Sequence, residues 1–270
     1  MDKIAVCAIF KDEAPYLLEW LAFHKMVGVD LFVLYDNGSS DGGGDLIRGS
    51  SFARNVTLID WPDRPGRLSA YNHFRVNHAG RVTWAAFIDL DEFIMPVAGG
   101  SIRDPLMSRA YQDHSAILLQ QLVFGPAGHG RTPPGLVLEN YTRRMSEAVS
   151  TSRHVKSLVR TRDLLGMATP YAAKCSGPAC NTRGETVPPK AIQPTECHDV
   201  MVIHHYFTKS REEWEFKLRR GRGDSRKPYP GKVFADMANH ATIEDTRALR
   251  FLPRLRALLP TEGSATARSG

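Results

Sequence analysis

The chain has 270 residues, of which 42% are hydrophobic and 24% charged, a composition typical of a globular protein that buries one sizeable core. Gly (22), Pro (17) and Cys (4) are too few for a collagen-like, low-complexity or disulfide-stapled chain. The 35 Lys and Arg against 29 Asp and Glu give a net charge of +6, which favours anionic partners such as phosphates, nucleotides or a lipid surface without choosing among them.

The first ninety residues alternate short apolar segments with helical patterns, which predicts β-α units around a mostly parallel central sheet flanked by helices. The predicted strands cover residues 4–10, 29–35 and 56–60, and a fourth, buried strand begins at residue 84 and ends in three carboxylates after Ile88. The predicted helices cover residues 12–28 and 68–78. We expect Asp12 to cap the first helix, whose first turn accepts Pro15 and which Gly28 ends.

The pattern becomes less regular after about residue 100. Further strands are expected at residues 115–124, 154–160 and 200–206. Ser210 and Glu213 form a capping box at the start of a helix that ends near Gly221. The Gly- and Pro-rich segment 125–135 predicts an extended loop of the kind that often carries binding functions. The last residues, 261–270, are expected to be disordered.

No apolar run approaches the roughly 18 residues that a membrane span requires. We therefore expect a cytoplasmic location, where thiols stay reduced. Cys175, Cys180, Cys197 and His198 offer a structural zinc site as an alternative, but their spacing fits no compact zinc knuckle. Buried or loop thiols are the favoured interpretation.

Three carboxylates follow the apolar part of the fourth predicted strand. Side chains two residues apart in a strand point the same way, so we expect Asp89 and Asp91 to converge on one hard divalent cation while Glu92 points elsewhere. A second polar cluster, residues 36–41, follows the second strand. Both clusters fall at carboxyl ends of strands, where open α/β sheets bind ligands. A solvated loop and a plain Asn-Gly turn remain the alternatives.

These motifs, with others in the same order, resemble the family 2-like glycosyltransferases, closest to the branch related to glycosyltransferase family 92. The resemblance spans about residues 3–225. Its motifs are FKDE (10–13), EW (19–20), YDNGSSD (35–41), WP (61–62), YN (71–72), FIDLDEF (87–93), FGPAGH (124–129), HVKSLVR (154–160), HHY (204–206) and RRGRGD (219–224).

The resemblance implies an α/β fold of the GT-A type, with a less regular acceptor-side C-terminal half. It also implies a nucleotide-sugar donor, most often a UDP-sugar, with Mn²⁺ or Mg²⁺ at the diphosphate. By this resemblance the metal ligands are Asp89, Asp91 and His205. The nucleotide-binding residues are Phe10, Lys11, Glu13, Asp36, Asp89 and Arg220. Strand alternation places His204 and His205 on opposite faces, so only one of them should reach the metal.

The acceptor is expected to be a hydroxyl of a glycan or a lipid-linked glycan in polysaccharide biosynthesis, with Gly128 and His129 as candidate contacts. The candidates for the catalytic base are Glu92, Glu139, Asp199 and Asp224, of which Asp224 and Glu92 are preferred. The basic stretch 209–232 could neutralise the leaving diphosphate. A solvated helix face and a peripheral contact with the anionic inner membrane face remain alternatives, whereas nucleic acid is disfavoured because no aromatic platforms are interleaved.

We expect one GT-A domain over residues 1–260, with a nucleotide-sugar-binding half (1–98) and an acceptor-side half (99–260). Two other functions stay open. A nucleotidyltransferase acting on a sugar phosphate should carry a Gly-rich phosphate loop after the first strand, where this chain has Lys-Asp-Glu-Ala-Pro at positions 11–15. A non-enzymatic basic protein that binds glycan or lipid would need no acidic metal site.

Overall fold

The computed structural model describes residues 2–167, 172–221 and 228–260. Its strands are β1 (Ile4–Phe10), β2 (Leu31–Asp36), β3 (Val56–Asp60), β4 (Trp84–Phe87), β5 (Glu92–Pro96), β6 (Ala116–Phe124), β7 (Arg143–Arg144), β8 (Val155–Arg160), β9 (Leu164–Met167), β10 (Ala173–Cys175), β11 (Ala179–Cys180), β12 (Thr186–Val187), β13 (Met201–Tyr206) and β14 (Ile243–Glu244). Its helices are α1 (Ala14–Met26), α2 (Gly43–Gly49), α3 (Arg67–Asn77), α4 (Arg103–Leu106), α5 (Val137–Asn140), α6 (Arg211–Arg220), α7 (Val233–His240) and α8 (Leu252–Leu258).

The N-terminal half of the sheet is parallel and has the strand order β3-β2-β1-β4. Every residue of β1 is buried, and its alternate side chains enter two apolar layers. Val6 packs in the layer that contains Trp20 of α1, whereas Cys7 packs in the layer that contains Phe74 of α3. Since helices cover both faces, the strand is apolar throughout, as is usual in parallel sheets. The predicted α/β fold is confirmed.

The C-terminal half makes the sheet mixed. Strand β8 pairs antiparallel with both β4 and β6, and β13 runs parallel to β6 and antiparallel to β5. The nine-residue strand β6 therefore connects the two halves. Residues 125–135 contain neither helix nor strand, as predicted. Within the described ranges, no helix has both the length and the apolar character needed to cross a bilayer.

The buried strand predicted before the carboxylates is β4, and a turn separates it from β5. One local expectation is wrong. Asp12 does not cap α1: it has φ +49° and its Oδ1 accepts a hydrogen bond from Ser40 N at 2.7 Å. The N–H of Ala14, the first residue of α1, instead donates to Asp41 Oδ2 at 2.7 Å. The loops after β1 and β2 exchange these bonds because adjacent parallel strands end at the same edge.

The predicted capping box is confirmed. The Ser210 hydroxyl accepts a hydrogen bond from Glu213 N at 3.2 Å, and Glu213 Oε2 accepts one from Ser210 N at 2.9 Å. The helix ends at Gly221, where φ is +81°. Disorder was expected for residues 261–270, which lie outside the described part of the chain.

Two histidines are enclosed in the apolar core. His24 Nδ1–H donates to Trp20 O at 2.9 Å, and its Nε2 accepts from Ile94 N at 3.2 Å, so both ring nitrogens are satisfied in the neutral form. His204 packs against Phe124 with ring centroids 4.7 Å apart. Burial lowers the pKa of each histidine to about 3. Folding therefore requires both imidazoles to stay uncharged.

We expect acid to destabilise the fold through these histidines. Their folded-state pKa is depressed, so the unfolded chain binds more protons as the pH falls below about 6.5. Each histidine should cost about 2 kcal/mol of unfolding free energy between pH 7 and pH 5. Between pH 7 and pH 5, the free energy of unfolding measured with urea should fall by about 2 kcal/mol less in His204→Asn than in the wild type. Equal losses in the two proteins would contradict this prediction.

Candidate active site

The turn between β4 and β5 places three carboxylates together. Glu92 N donates to Asp89 O at 3.1 Å, and Asp89 N donates to Glu92 Oε2 at 2.9 Å. Two-residue alternation holds only for extended strands, and the turn interrupts it. The expectation that Glu92 points elsewhere is therefore wrong, because its side chain reaches the same cavity as those of Asp89 and Asp91.

This cavity has a volume of about 540 Å³ and lies at the carboxyl ends of β1 and β4, where the sequence predicts a site. Both signs of charge line it. Its charged side chains are Lys11, Glu13, Arg64, Arg67, Asp89, Asp91, Glu92, Lys156, Lys217, Arg220 and Asp236. The site thus contains both acidic and basic side chains. Basic side chains suit phosphate groups, and carboxylates suit hard cations.

Two cations hold Asp89. Arg67 Nη2 lies 3.1 Å from Asp89 Oδ1, and Lys156 Nζ lies 2.8 Å from Oδ2. The same Lys156 Nζ lies 3.0 Å from Glu92 Oε2. Burial opposes ionisation of Asp89, but Arg67 and Lys156 outweigh it and lower the pKa of Asp89. Burial raises the pKa of Glu92 despite the nearby ammonium of Lys156.

Asp91 has a separate set of partners. Its Oδ2 lies 2.6 Å from Lys217 Nζ, and its Oδ1 lies 3.5 Å from His205 Nε2. Although burial opposes ionisation, Lys217 and His205 hold the pKa of Asp91 well below its usual range. Gln121 Oε1 accepts a hydrogen bond from His205 Nδ1 at 3.0 Å. This bond leaves the lone pair of His205 on Nε2, beside Asp91.

In the described ranges, one group of three or more His, Cys, Asp or Glu side chains is close enough to hold a metal ion. It consists of Asp91, Glu92 and His205, whose ligand atoms all lie within 4.8 Å of one another. Glu92 Oε1 is buried and accepts no hydrogen bond from any residue that the structure describes. Two carboxylate oxygens and one imidazole nitrogen suit Mn²⁺, and the oxygens also suit Mg²⁺. The group therefore fits a divalent cation.

This group contains two of the three expected ligands, Asp91 and His205, and adds Glu92 in place of Asp89. His204 lies on the other face of β13, fully buried, as alternation predicts. Cys7, Cys180 and Cys197 are buried free thiols, and Cys175 is partly exposed. Burial raises the pKa of Cys175 to about 11 and that of Cys180 to about 12, so both are protonated near neutrality.

Five of the six expected nucleotide residues line the cavity: Phe10, Lys11, Glu13, Asp89 and Arg220. Arg220 Nη1 donates to Lys11 O at 2.6 Å and forms an ion pair with Glu13. Lys11 Nζ donates to Gly38 O at 2.7 Å.

The sixth, Asp36, does not line the cavity. Its Oδ1 accepts a hydrogen bond from Ser39 N at 2.7 Å. Its neighbour Asn37 lines the cavity instead. The nucleotide contacts of all these residues stay predictions.

The expected acceptor and base residues lie mostly elsewhere. Gly128 and His129 are outside the cavity lining, and His129 O accepts a hydrogen bond from Arg211 N at 3.2 Å at the start of α6. Glu139 forms an ion pair with Arg256 at 2.6 Å, and Asp199 forms one with Arg183. Among the candidate bases, Glu92 lines the cavity, and Asp224 lies outside the described residues.

Three residues of the site were not assigned to it from the sequence: Arg67, Gln121 and Lys156. Lys156 stands within the HVKSLVR motif and so had a signal, whereas Lys217 belongs to the basic stretch that was expected to neutralise the diphosphate. Gln120 and Gln121 are the two polar residues of the otherwise apolar strand β6, which is a weaker signal for Gln121. Arg67 begins α3 and carries no signal of its own.

Comparison with known proteins identifies the family of this chain. A sequence profile of glycosyltransferase family 92 matches residues 2–229. A glycosyltransferase family 92 protein of Oryza sativa subsp. japonica is 30% identical over 160 residues, which are 58% of this chain and 27% of that protein. One from Arabidopsis thaliana is 30% identical over 168 residues, 58% of this chain and 28% of that protein. The match thus covers less than a third of the length of these relatives.

Among solved structures, residues 1–349 of S. aureus TarS in complex with UDP give a TM-score of 0.41 at 15% identity, over 59% of this chain and 47% of that one. Glucosyl-3-phosphoglycerate synthase from Mycobacterium tuberculosis in complex with Mn²⁺, UDP and glucosyl-3-phosphoglycerate gives 0.35 at 14% identity, over 60% of this chain and 58% of that one.

Parallel β-α units that end in an acidic turn, continued by a mixed sheet, agree with the α/β fold that the resemblance implies. The family profile covers most of that fold, including both β1 and the acidic turn. The chain belongs to glycosyltransferase family 92.

Replacing Lys156 should destabilise the protein. Lys156→Met leaves Glu92 without its cation and Asp89 with only Arg67. Breaking a buried ion pair from one side costs about 3–5 kcal/mol, and urea unfolding at pH 7 should show a loss of this size. The loss should shrink at low pH, where the two carboxylates are protonated. Lys190→Met, at an exposed position, is the control and should change stability little; equal stability of the two variants would contradict the prediction.

Proposed function

We propose that this chain transfers a sugar from a nucleotide-sugar donor, of which UDP-sugars are the first candidates, to a hydroxyl of a glycan or lipid-linked acceptor. The observation that carries the proposal is the group of Asp91, Glu92 and His205 inside a cation-lined cavity of a family 92 member. A cavity of this charge pattern suits a diphosphate better than a neutral ligand.

Asp91, Glu92 and His205 would hold Mn²⁺ or Mg²⁺. When bound, such a cation neutralises the diphosphate and stabilises the charge that the leaving group acquires. Gln121 would keep His205 in the tautomer that offers Nε2. Lys217 and Lys156 each engage one carboxylate oxygen, Asp91 Oδ2 and Glu92 Oε2, and leave the second oxygen of each group for the cation.

The basic side chains of the cavity would stabilise the departing nucleoside diphosphate. Lys217 and Arg220 lie one turn apart on α6, and Arg67, at the N-terminus of α3, lines the same cavity. Arg220 is held by Glu13 and Lys217 by Asp91. Cations fixed before the reaction need no reorganisation when charge develops, which is the most effective form of electrostatic catalysis.

The nucleoside would occupy the end of the cavity lined by Phe10, Lys11, Asn37 and Arg64. Phe10 supplies an aromatic surface there, and Arg64 is an exposed guanidinium. Glu13 and Arg220, which form an ion pair, line the same cavity.

Removing the charge of Asp91 should abolish metal-dependent turnover. Asp91→Asn keeps the size of the side chain, and we expect UDP release from a panel of UDP-sugars with Mn²⁺ to fall by about 100-fold or more. Asp199→Asn, which removes a carboxylate outside the cavity, should leave UDP release unchanged. Unaltered UDP release in Asp91→Asn, with an unchanged circular dichroism spectrum, would refute the metal assignment.

His204 and His205 are adjacent in β13, so variants of the two residues can be compared directly. His205→Asn should weaken Mn²⁺ binding by about 10-fold or more, because it removes the nitrogen ligand of the trio. His204→Asn, on the opposite face of the same strand, should bind Mn²⁺ like the wild type. Titration followed by electron paramagnetic resonance measures both, and equal affinities in the two variants would exclude His205 as a ligand.

A further inference from the structure

The cavity has a second end, whose walls are mainly apolar. Its apolar lining includes Val123, Met145, Phe207, Tyr229, Val233 and Met237. Phe207 marks the boundary between the two ends, since its ring centroid lies 5.2 Å from that of His205 and 4.5 Å from Lys217 Nζ. The apolar end therefore begins directly beside the proposed cation and diphosphate site.

Helix α7 closes this end, and it lies beyond the segment matched by the family profile, residues 2–229. Gly125, just after β6, permits its close approach. A Cβ at Gly125 would lie 2.6 Å from Ala241 Cβ and 2.9 Å from Met237 O, so a larger residue would push the helix away. Phe234 anchors the other side of α7, buried beneath the guanidinium of Arg211 at 4.6 Å.

One carboxylate stands on the cavity face of α7. Val233, Asp236 and Met237 are three and four residues apart, so they share one face of the helix, and all three line the cavity. Asp236 is exposed to solvent at the cavity wall.

The four other carboxylates of the lining each have a cationic partner. Glu13 pairs with Arg220, and Asp91 pairs with Lys217. Asp89 and Glu92 share Lys156. Among the residues that the structure describes, no cation or hydrogen-bond donor engages the carboxylate of Asp236. Of the carboxylates that line the cavity in the described residues, Asp236 is therefore the one available to accept a proton from a ligand.

We propose that the apolar end binds the acceptor, a glycoside, and that Asp236 is the base that takes the proton of its attacking hydroxyl. This inference rests on the proposed function. The aromatic rings of Phe207 and Tyr229 offer a surface for the C–H face of a sugar ring, while Asp236 offers an acceptor for its hydroxyl. A glycoside has both features within one ring.

The proposed transfer is a displacement at the anomeric carbon of the donor. The acceptor oxygen forms a bond to the anomeric carbon of the donor, and the proton of that hydroxyl passes to the Asp236 carboxylate. The bond between the anomeric carbon and the diphosphate oxygen breaks, and its electron pair leaves on the nucleoside diphosphate. Lys217 and Arg220 line the same cavity as Asp236, so the base and the cations that would stabilise the leaving group belong to one site.

The test compares Asp236→Asn with the wild type, using UDP-sugars, Mn²⁺ and a panel of p-nitrophenyl glycosides as acceptors. Chromatography measures the transfer product, and calorimetry measures binding of UDP with Mn²⁺. Asp236→Asn should lower kcat for transfer by about 100-fold or more, the usual contribution of a general base, while UDP binding changes less than twofold. Asp236→Glu should restore part of the rate. Asp45→Asn, which removes an exposed carboxylate on α2, should behave as the wild type.

A second variant tests the aromatic surface. Tyr229→Ala should raise KM for the glycoside and leave KM for the UDP-sugar unchanged. Wild-type transfer rates in Asp236→Asn, or loss of its UDP binding, would overturn the role of Asp236. A wild type that releases UDP but glycosylates no member of the panel would overturn the acceptor class and leave the donor proposal standing. A wild type that does not bind UDP would overturn both proposals.

Discussion

The fold of the site depends on the neutralisation of the carboxylates at the turn between β4 and β5. Asp91 and Glu92 are nearly inaccessible to solvent, and an unpaired buried charge costs several kcal/mol. Each must therefore meet a cation, and the cations come from elements far apart in the chain: Lys156 from β8 and Lys217 from α6. This requirement joins both halves of the sheet at one point.

The same neutralisation sets the charge that a ligand would meet. The carboxylates of Glu13, Asp89, Asp91 and Glu92 are matched by the cations Arg67, Lys156, Lys217 and Arg220. Those eight charges cancel, and Lys11 and Arg64 remain as positive charges in the lining near the proposed nucleoside end. Because the pairs are already formed, a diphosphate that enters with its cation need not order the side chains around it.

Strand β6 links this charged centre to the apolar end of the cavity. Gln121, near its middle, orients His205, whereas Gly125, just beyond its end, lets α7 lie against the sheet. One strand thus positions groups at both ends of the cavity. Since the family profile stops before α7, the charged centre belongs to the shared part of the family fold and the α7 wall to the remainder of this chain.

The sequence alone determined the elements with strong periodicity and the edge of the sheet that carries the site. β1 and β3 have the predicted bounds because local apolar patterning decides them. It also indicated Asp89, Asp91 and His205, through their position at strand ends and a family resemblance. Only the tertiary structure decided how these groups combine. The turn that brings Glu92 beside Asp91, the cations that hold Asp89, and the approach of α7 at Gly125 all depend on contacts between residues distant in the chain, which local patterns do not encode.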